Sequence, residues 1–251
     1  MQSQDAAELL ISALSLHGSL SGGDETALRD TSFRLHRYAR GSAIARAHTS
    51  PHESCFVISG LASREIIMPR GARAFVGMYI RGDFVDLHAF LLDSLDHDVV
   101  ALTQVVMAFV SHTDIGRLIA SQTINRLLWR FIAVDAAIQR YWLASMARRK
   151  ASDRLAHFLC EQYIRMRAQG LVSADSFDLP LSQALLGDVI GLSAVHMNRS
   201  IQTLRRTGLL KWEGNTVTIS FPRLAELCGF EPSYLNLQRL ATSGGDGTCR
   251  A

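Results

Sequence analysis

Cysteine is scarce in this chain: four residues in 251, at positions 55, 160, 228 and 249, with no CxxC pair among them. Such spacing argues against a thiolate zinc or iron–sulfur site and against a disulfide framework. No apolar run reaches the length needed to span a bilayer, and the opening MQSQDAAELL lacks a basic-then-apolar signal pattern. A soluble, reduced, cytoplasmic protein with no membrane contact is the expectation. Catalytic signatures are missing too. There is no GxSxG nucleophile turn, no GxxxxGK[ST] phosphate loop and no HExxH pair. An enzyme is therefore not expected. Nor is there a large charge excess: the formal net charge of +3 is too small to announce a nucleic-acid partner by itself. What remains is a globular composition, 48% hydrophobic with no low-complexity bulk, long enough for a sizeable core and two domains.

The most informative stretch runs from Leu181 to Leu210, LSQALLGDVIGLSAVHMNRSIQTLRRTGLL. Ser182 can cap a short helix whose apolar stripe is Leu186 and Ile190. Gly187 stands where two crossing helices need a residue without a side chain, and Gly191 ends the helix at a position that tolerates positive φ. Ser193 caps a second helix, in which Met197, Ile201 and Leu204 share one face. At about 100° per residue, Val195, Arg199, Gln202 and Arg206 point the other way, with Asn198 beside them. Such a face suits a DNA major groove, where Arg pairs with guanine and Asn or Gln with adenine. An ordinary αα-hairpin is the bland alternative. Against it, the small residue, the turn glycine and the capping serine all coincide.

Lys211 to Ile219 then reads as a hairpin turning at Gly214-Asn215, a wing whose tip could reach the phosphate backbone. Arg199, Arg205, Arg206 and Lys211 cluster here, and Glu213 is the single acid between Ser193 and the wing. The expected division of labour follows from position. Arg199 reads guanine, Val195 meets a thymine methyl, Asn198 meets adenine or a nearby phosphate, and Gln202 lies on the same exposed face. Ser182, Gln183, Ser193, His196 and Asn215 hold the backbone.

Upstream, Asp5–Leu16 and Gly22–Thr31 read as short helices, and Phe33 to about Val110 as short β-like runs. Ser121–Met146 is one long helical pattern without Pro or Gly. In it Leu127, Phe131, Val134, Ile138 and Tyr141 approximate a 3.5 repeat, the expected seam of a paired helix. Tyr141 and Trp142 could instead wall a small-molecule pocket. Arg148-Arg149-Lys150 reads as a hinge, Ser152 as the next N-cap, Ser173–Pro180 as a linker, and Ser243–Ala251 as a frayed tail.

This order resembles the Crp/Fnr family of bacterial transcription regulators over nearly the whole chain. The matching residues are Gly41, Gly60 and Gly82-Asp83-Phe84, then Asp153-Arg154-Leu155-Ala156, then Ser182 through Gly191 to Arg199. The resemblance implies an α+β fold: an N-terminal cyclic-nucleotide-binding-like sensor β-roll (1–120), a long dimerisation helix and hinge (121–150), a C-terminal winged helix-turn-helix (151–235) and a tail (236–251). It further implies a homodimer on double-stranded DNA with an inverted-repeat operator, RNA polymerase as a partner, and an effector left unnamed. Relatives that bind cyclic nucleotide carry a Gly-Glu and an Arg-Ser or Arg-Thr pair, for ribose and phosphate. Here the corresponding residues are Asp86-Leu87 and His97-Asp98. A leucine cannot accept the ribose hydrogen bond and an aspartate repels phosphate, so no cyclic nucleotide is expected. No cysteine precedes Cys55, which speaks against the oxygen-sensing iron–sulfur branch. Histidines at 88, 97 and 112 lie in or near the roll. An alternative reading makes His48, His52 and Glu53 a cupin-like metal site on a loop, although Pro51 and three intervening residues spoil the cupin spacing. No cofactor and no metal are assigned.

Overall fold

The computed structural model describes residues 3–237, so expectations for the tail beyond 237, Cys249 included, lie outside the described residues. Two helices open the chain, α1 (Ser3–Ser15) and α2 (Gly22–Arg29). Ser21 and Asp24 form a reciprocal capping box at the start of α2. Seven strands follow: β1 (Arg34–Tyr38), β2 (Ala43–Ala45), β3 (Glu53–Ser59), β4 (Ala62–Ile67), β5 (Arg73–Tyr79), β6 (Asp98–Ala101) and β7 (Val105–Ser111). They make two antiparallel sheets, ordered β1-β7-β3 and β2-β6-β4-β5. Val57, Ala62, Val99, Val105 and Met107 fill the space between the sheets. β3 is buried almost from end to end because α1 and the long helix cover its other face. Hydrophobicity there is continuous and not alternating, as a doubly covered strand requires.

Helix α3 (His112–Leu118) leads into α4 (Gln122–Arg148), where the Ser121 side chain accepts from the Ile124 amide. Arg149 and Lys150 are extended, and α5 (Ala151–Ala168) starts directly after them. The hinge thus lies at 149–150. Ser152 sits inside the first turn of α5, and Lys150 occupies the cap position without a side-chain hydrogen bond, which corrects the expected Ser152 cap. The expected linker from Ser173 to Pro180 is also structured. β8 (Val172–Ser173) and β9 (Ser176–Asp178) join β10 (Leu210–Glu213) and β11 (Thr216–Ile219) in a sheet ordered β10-β11-β9-β8. Between them lie α6 (Gln183–Ile190) and α7 (Ala194–Arg206), and α8 (Phe221–Cys228) follows the wing. A final 3₁₀ turn, Pro232–Leu235, lies against α4 and α5.

Part of the α4 seam read from the sequence is engaged within the chain itself. Leu127 is buried at 3% exposure in the chain's own core, against Gly18 and the α1 cluster. Phe131 stands edge-on to His17 and Phe84. Val134 lines the cleft beside the roll, and Ile138 packs on the core around α5. Tyr141 is stacked on Tyr234 at 3.8 Å between ring centroids, and Trp142 is buried, its indole donating to Glu161 at 3.0 Å. Of that face Leu127 is fully buried in the single chain, Phe131, Val134 and Ile138 are half-buried, and Tyr141 stays exposed. On the opposite side an apolar stripe stays open: Trp129 at 55% exposure, Ala133, half-buried Ala136, then Leu143 at 66%, and Ala147. Steps of four, three, seven and four keep it in heptad register.

Candidate nucleic-acid interface

α6 and α7 are shaped by local chemistry. Ser182 accepts from the Leu185 amide at 3.2 Å, and Gly191 ends α6 at φ 68°. A Cβ on Gly187 would lie 2.7 Å from the Leu192 carbonyl oxygen, so only glycine lets the turn fold back here. Leu192 returns a 2.7 Å hydrogen bond to the Gly187 carbonyl. Ser193 accepts from the His196 amide at 3.3 Å and contacts His196 Nδ1 at 3.0 Å, fixing both the start of α7 and the imidazole on its flank.

Met197, Ile201 and Leu204 are fully buried, as the periodicity requires, and Ser200 joins them by donating to the His196 carbonyl at 2.8 Å. Outward lie Val195 at 60% exposure, Asn198, Arg199 and Arg206, with Gln202 half-buried. Ser182, Gln183, Ser193 and His196 are exposed around the two helix starts, and Asn215 is exposed at the wing tip. The structure therefore gathers all nine sequence-read residues on or beside α6, α7 and the wing. Arg205 acts within the fold instead. It donates to the Trp212 carbonyl at 2.6 Å and ties the end of α7 to the wing. Sequence reasoning also misses Arg154, which donates to the carbonyls of Gly191 and Met146, each at 2.9 Å, and so clamps α6 to the end of α4. Nothing in local sequence periodicity signals such a contact.

Facing the roll, a cleft is built on paired charges. Arg64 meets Asp135 of α4 at 2.5 Å and donates to the Val85 carbonyl at 2.5 Å, while Tyr79 donates to Asp135 at 3.0 Å. Arg165 of α5 pairs with Asp83 at 2.5 Å and lies 3.7 Å from Glu161, which also accepts from the Tyr234 hydroxyl at 2.7 Å. Burial pushes the carboxyls of Asp83 and Glu161 up, although Arg165 opposes this in both. These bonds tie the roll to α4 and to α5. The residues expected to meet a cyclic nucleotide are engaged elsewhere. Leu87 is turned into the core at 5% exposure. Asp86 accepts from the Cys55 amide at 2.6 Å, and burial lifts its pKa to about 6. Asp98 accepts from the Ala47 amide at 2.8 Å and from Arg46 at 3.0 Å.

His48, His52 and Glu53 are not brought together as ligands. Glu53 is paired with Arg34 at 2.5 Å, and His48 sits at φ 61° in its turn. Among the described residues the metal-ligand spacing is met instead by His88, Asp96 and His97. No helix among these residues is long and apolar enough to cross a membrane.

Two family profiles match the chain, "Cyclic nucleotide-binding domain" over residues 35–122 and "Crp-like helix-turn-helix domain" over residues 153–228. "Transcriptional activator protein FnrL" of Cereibacter sphaeroides is 27% identical over 188 residues, covering 69% of this chain and 71% of its own length. A "Probable transcriptional activator" of Rhizobium leguminosarum bv. viciae is 28% identical over 219 residues, covering 84% of this chain and 86% of its own. Among solved structures, FixK2 from Bradyrhizobium japonicum superposes with a TM-score of 0.69 at 21% identity, over 78% of this chain and 96% of that one. That likeness concerns the fold.

Proposed function

The chain belongs to the Crp/Fnr family of transcription regulators, and from that premise we propose that it binds an inverted-repeat operator as a homodimer without responding to cyclic nucleotide. The observation that carries the reading is the exposed face of α7. Val195, Asn198 and Arg199 stand clear of the core on a helix whose two ends are fixed, by Ser193 at one and by Arg205 on the wing at the other. A guanidinium fork there fits O6 and N7 of guanine, and the exposed helix starts at Ser182 and Ser193 suit phosphates. RNA polymerase belongs to this reading as the partner that family membership implies.

Dimerisation is assigned to a second copy of the chain on the open stripe of α4. Trp129, Ala133, Ala136, Leu143 and Ala147 form an apolar stripe in heptad register, with Trp129 and Leu143 as its exposed anchors. The insensitivity to cyclic nucleotide rests on Leu87 in the core and on Asp98 bound to Arg46 and Ala47. Arg64, the buried cation nearest the cleft, is already spent on Asp135.

One selection experiment tests the whole reading. Purified protein is used to enrich binding sites from random duplexes, with and without millimolar cyclic AMP or cyclic GMP. The same inverted repeat should emerge each time, with unchanged affinity. A nucleotide-dependent gain in binding, or a site without two-fold symmetry, contradicts it.

A further inference from the structure

Where the roll passes from the 3₁₀ turn Leu87–Phe90 into β6, two imidazoles and a carboxylate converge. His88, Asp96 and His97 each offer a ligand atom within 4.8 Å of the others, and the two imidazole centroids are 5.2 Å apart. We propose that this trio is a binding site for a divalent transition-metal cation of the zinc class, held by both imidazoles, with the Asp96 carboxylate orienting His97 and water completing the coordination. The site does not depend on how the protein reads DNA.

Two features carry the proposal. His97 Nδ1 is 2.6 Å from Asp96 Oδ1, an arrangement that fixes the proton on Nδ1 and leaves the Nε2 lone pair unoccupied. A carboxylate that orients a ligating imidazole in this way also raises its basicity. His97 is only 4% exposed, and its Nε2 has no hydrogen-bond partner. A buried polar atom without a partner calls for an explanation, and a cation is a fitting one.

The neighbouring charge is compatible with a cation. Arg64 Nη2 lies 3.5 Å from His88 Nδ1, a contact long enough to be exchanged for a metal bond. Its own charge is matched by Asp135 at 2.5 Å. A tetrahedral ion with bonds of ~2.0–2.2 Å holds its ligand atoms roughly 3.4 Å apart, so the side chains must draw in by about an ångström.

The test uses untagged full-length protein freed of metal with EDTA. Zn²⁺ is titrated calorimetrically, and Co²⁺ is followed through the visible d–d bands of tetrahedral coordination. One ion per chain should bind, with N/O-type bands for Co²⁺. His88→Ala and His97→Ala should each weaken binding about 10–100-fold or abolish it. Asp96→Asn, a change at an exposed side chain that leaves the fold intact, should weaken it about tenfold. Absence of saturable binding overturns the proposal. So does a stoichiometric site that survives all three substitutions, or one lost in His48→Ala or His52→Ala instead.

Discussion

Arg199 projects from the second turn of α7 with nothing of its own chain to hold it in the major groove's place, whereas Arg205 a turn and a half later is bound to the Trp212 carbonyl. The two arginines should therefore fail differently. Arg199→Ala should cost about 1–3 kcal/mol in operator affinity and relax preference at one base pair in each half-site, read by repeating the selection with the variant. Unchanged base preference would remove Arg199 from the readout even if binding persisted. At the same scale, His157 ties the folded state to pH. It is 2% exposed between Tyr141, Tyr234 and Phe230, and its Nε2 has no partner. Burial, aided by the charge of Arg149, lowers its pKa from 6.5 to about 4. The folded chain thus favours the neutral ring, a contribution complete above the unfolded value of 6.5 and lost as pH falls through it towards 4. Linkage puts the loss at about 2 kcal/mol between roughly pH 7.5 and 5. His157→Phe should narrow the drop in melting temperature between those two pH values. An equal drop in variant and wild type would assign it to other groups.

Among the elements, α4 is the one on which the proposed dimer rests. Leu143 is 66% exposed on the stripe with Trp129, and burying such a side chain against a partner contributes roughly 1.5–3 kcal/mol. Leu143→Glu should give monomers by light scattering while its melting temperature stays near that of the wild type, since the residue takes no part in the single-chain core. A variant that remains dimeric would move the seam elsewhere. The sequence pattern found α4 and its hinge, and the structure sets Leu127 of the expected seam in the chain's own core. Twenty-seven residues carry apolar side chains on two sides, and periodicity does not say which side the chain itself will cover. Elsewhere local signals sufficed: Ser182, Gly187, Gly191 and Ser193 each act within a few residues, so α6, the turn and α7 were legible to the residue. β8 and β9 were not, because strands of two and three residues have no period to read. The His88–Asp96–His97 cluster escaped for a further reason. His88 lies eight positions before Asp96, across a turn whose path no spacing rule supplies.

Across the whole molecule, the charged pairs link what the sequence separates. Arg64 and Asp135 stand 71 positions apart, and Asp83 and Arg165 82 apart, yet each pair closes at 2.5 Å and together they join the roll to α4 and α5. Arg154 then joins α4 to the turn between α6 and α7. These contacts link the roll to the helix-turn-helix without a break, and on the proposed reading a dimer on α4 would set the distance between two recognition helices. The account therefore stands on one geometric claim: paired α4 helices hold two α7 helices in phase with the double helix, about one turn or roughly 34 Å apart. Helical phasing tests it directly. Affinity of the purified protein is measured by fluorescence anisotropy on duplexes carrying the selected half-sites at their natural spacing, with about half a turn added, and with about a full turn added. Adding half a turn should reduce affinity to that of a single half-site, because the second recognition helix would face the wrong side of the duplex. Equal affinity at all three spacings would contradict the rigid two-fold dimer on which the reading depends.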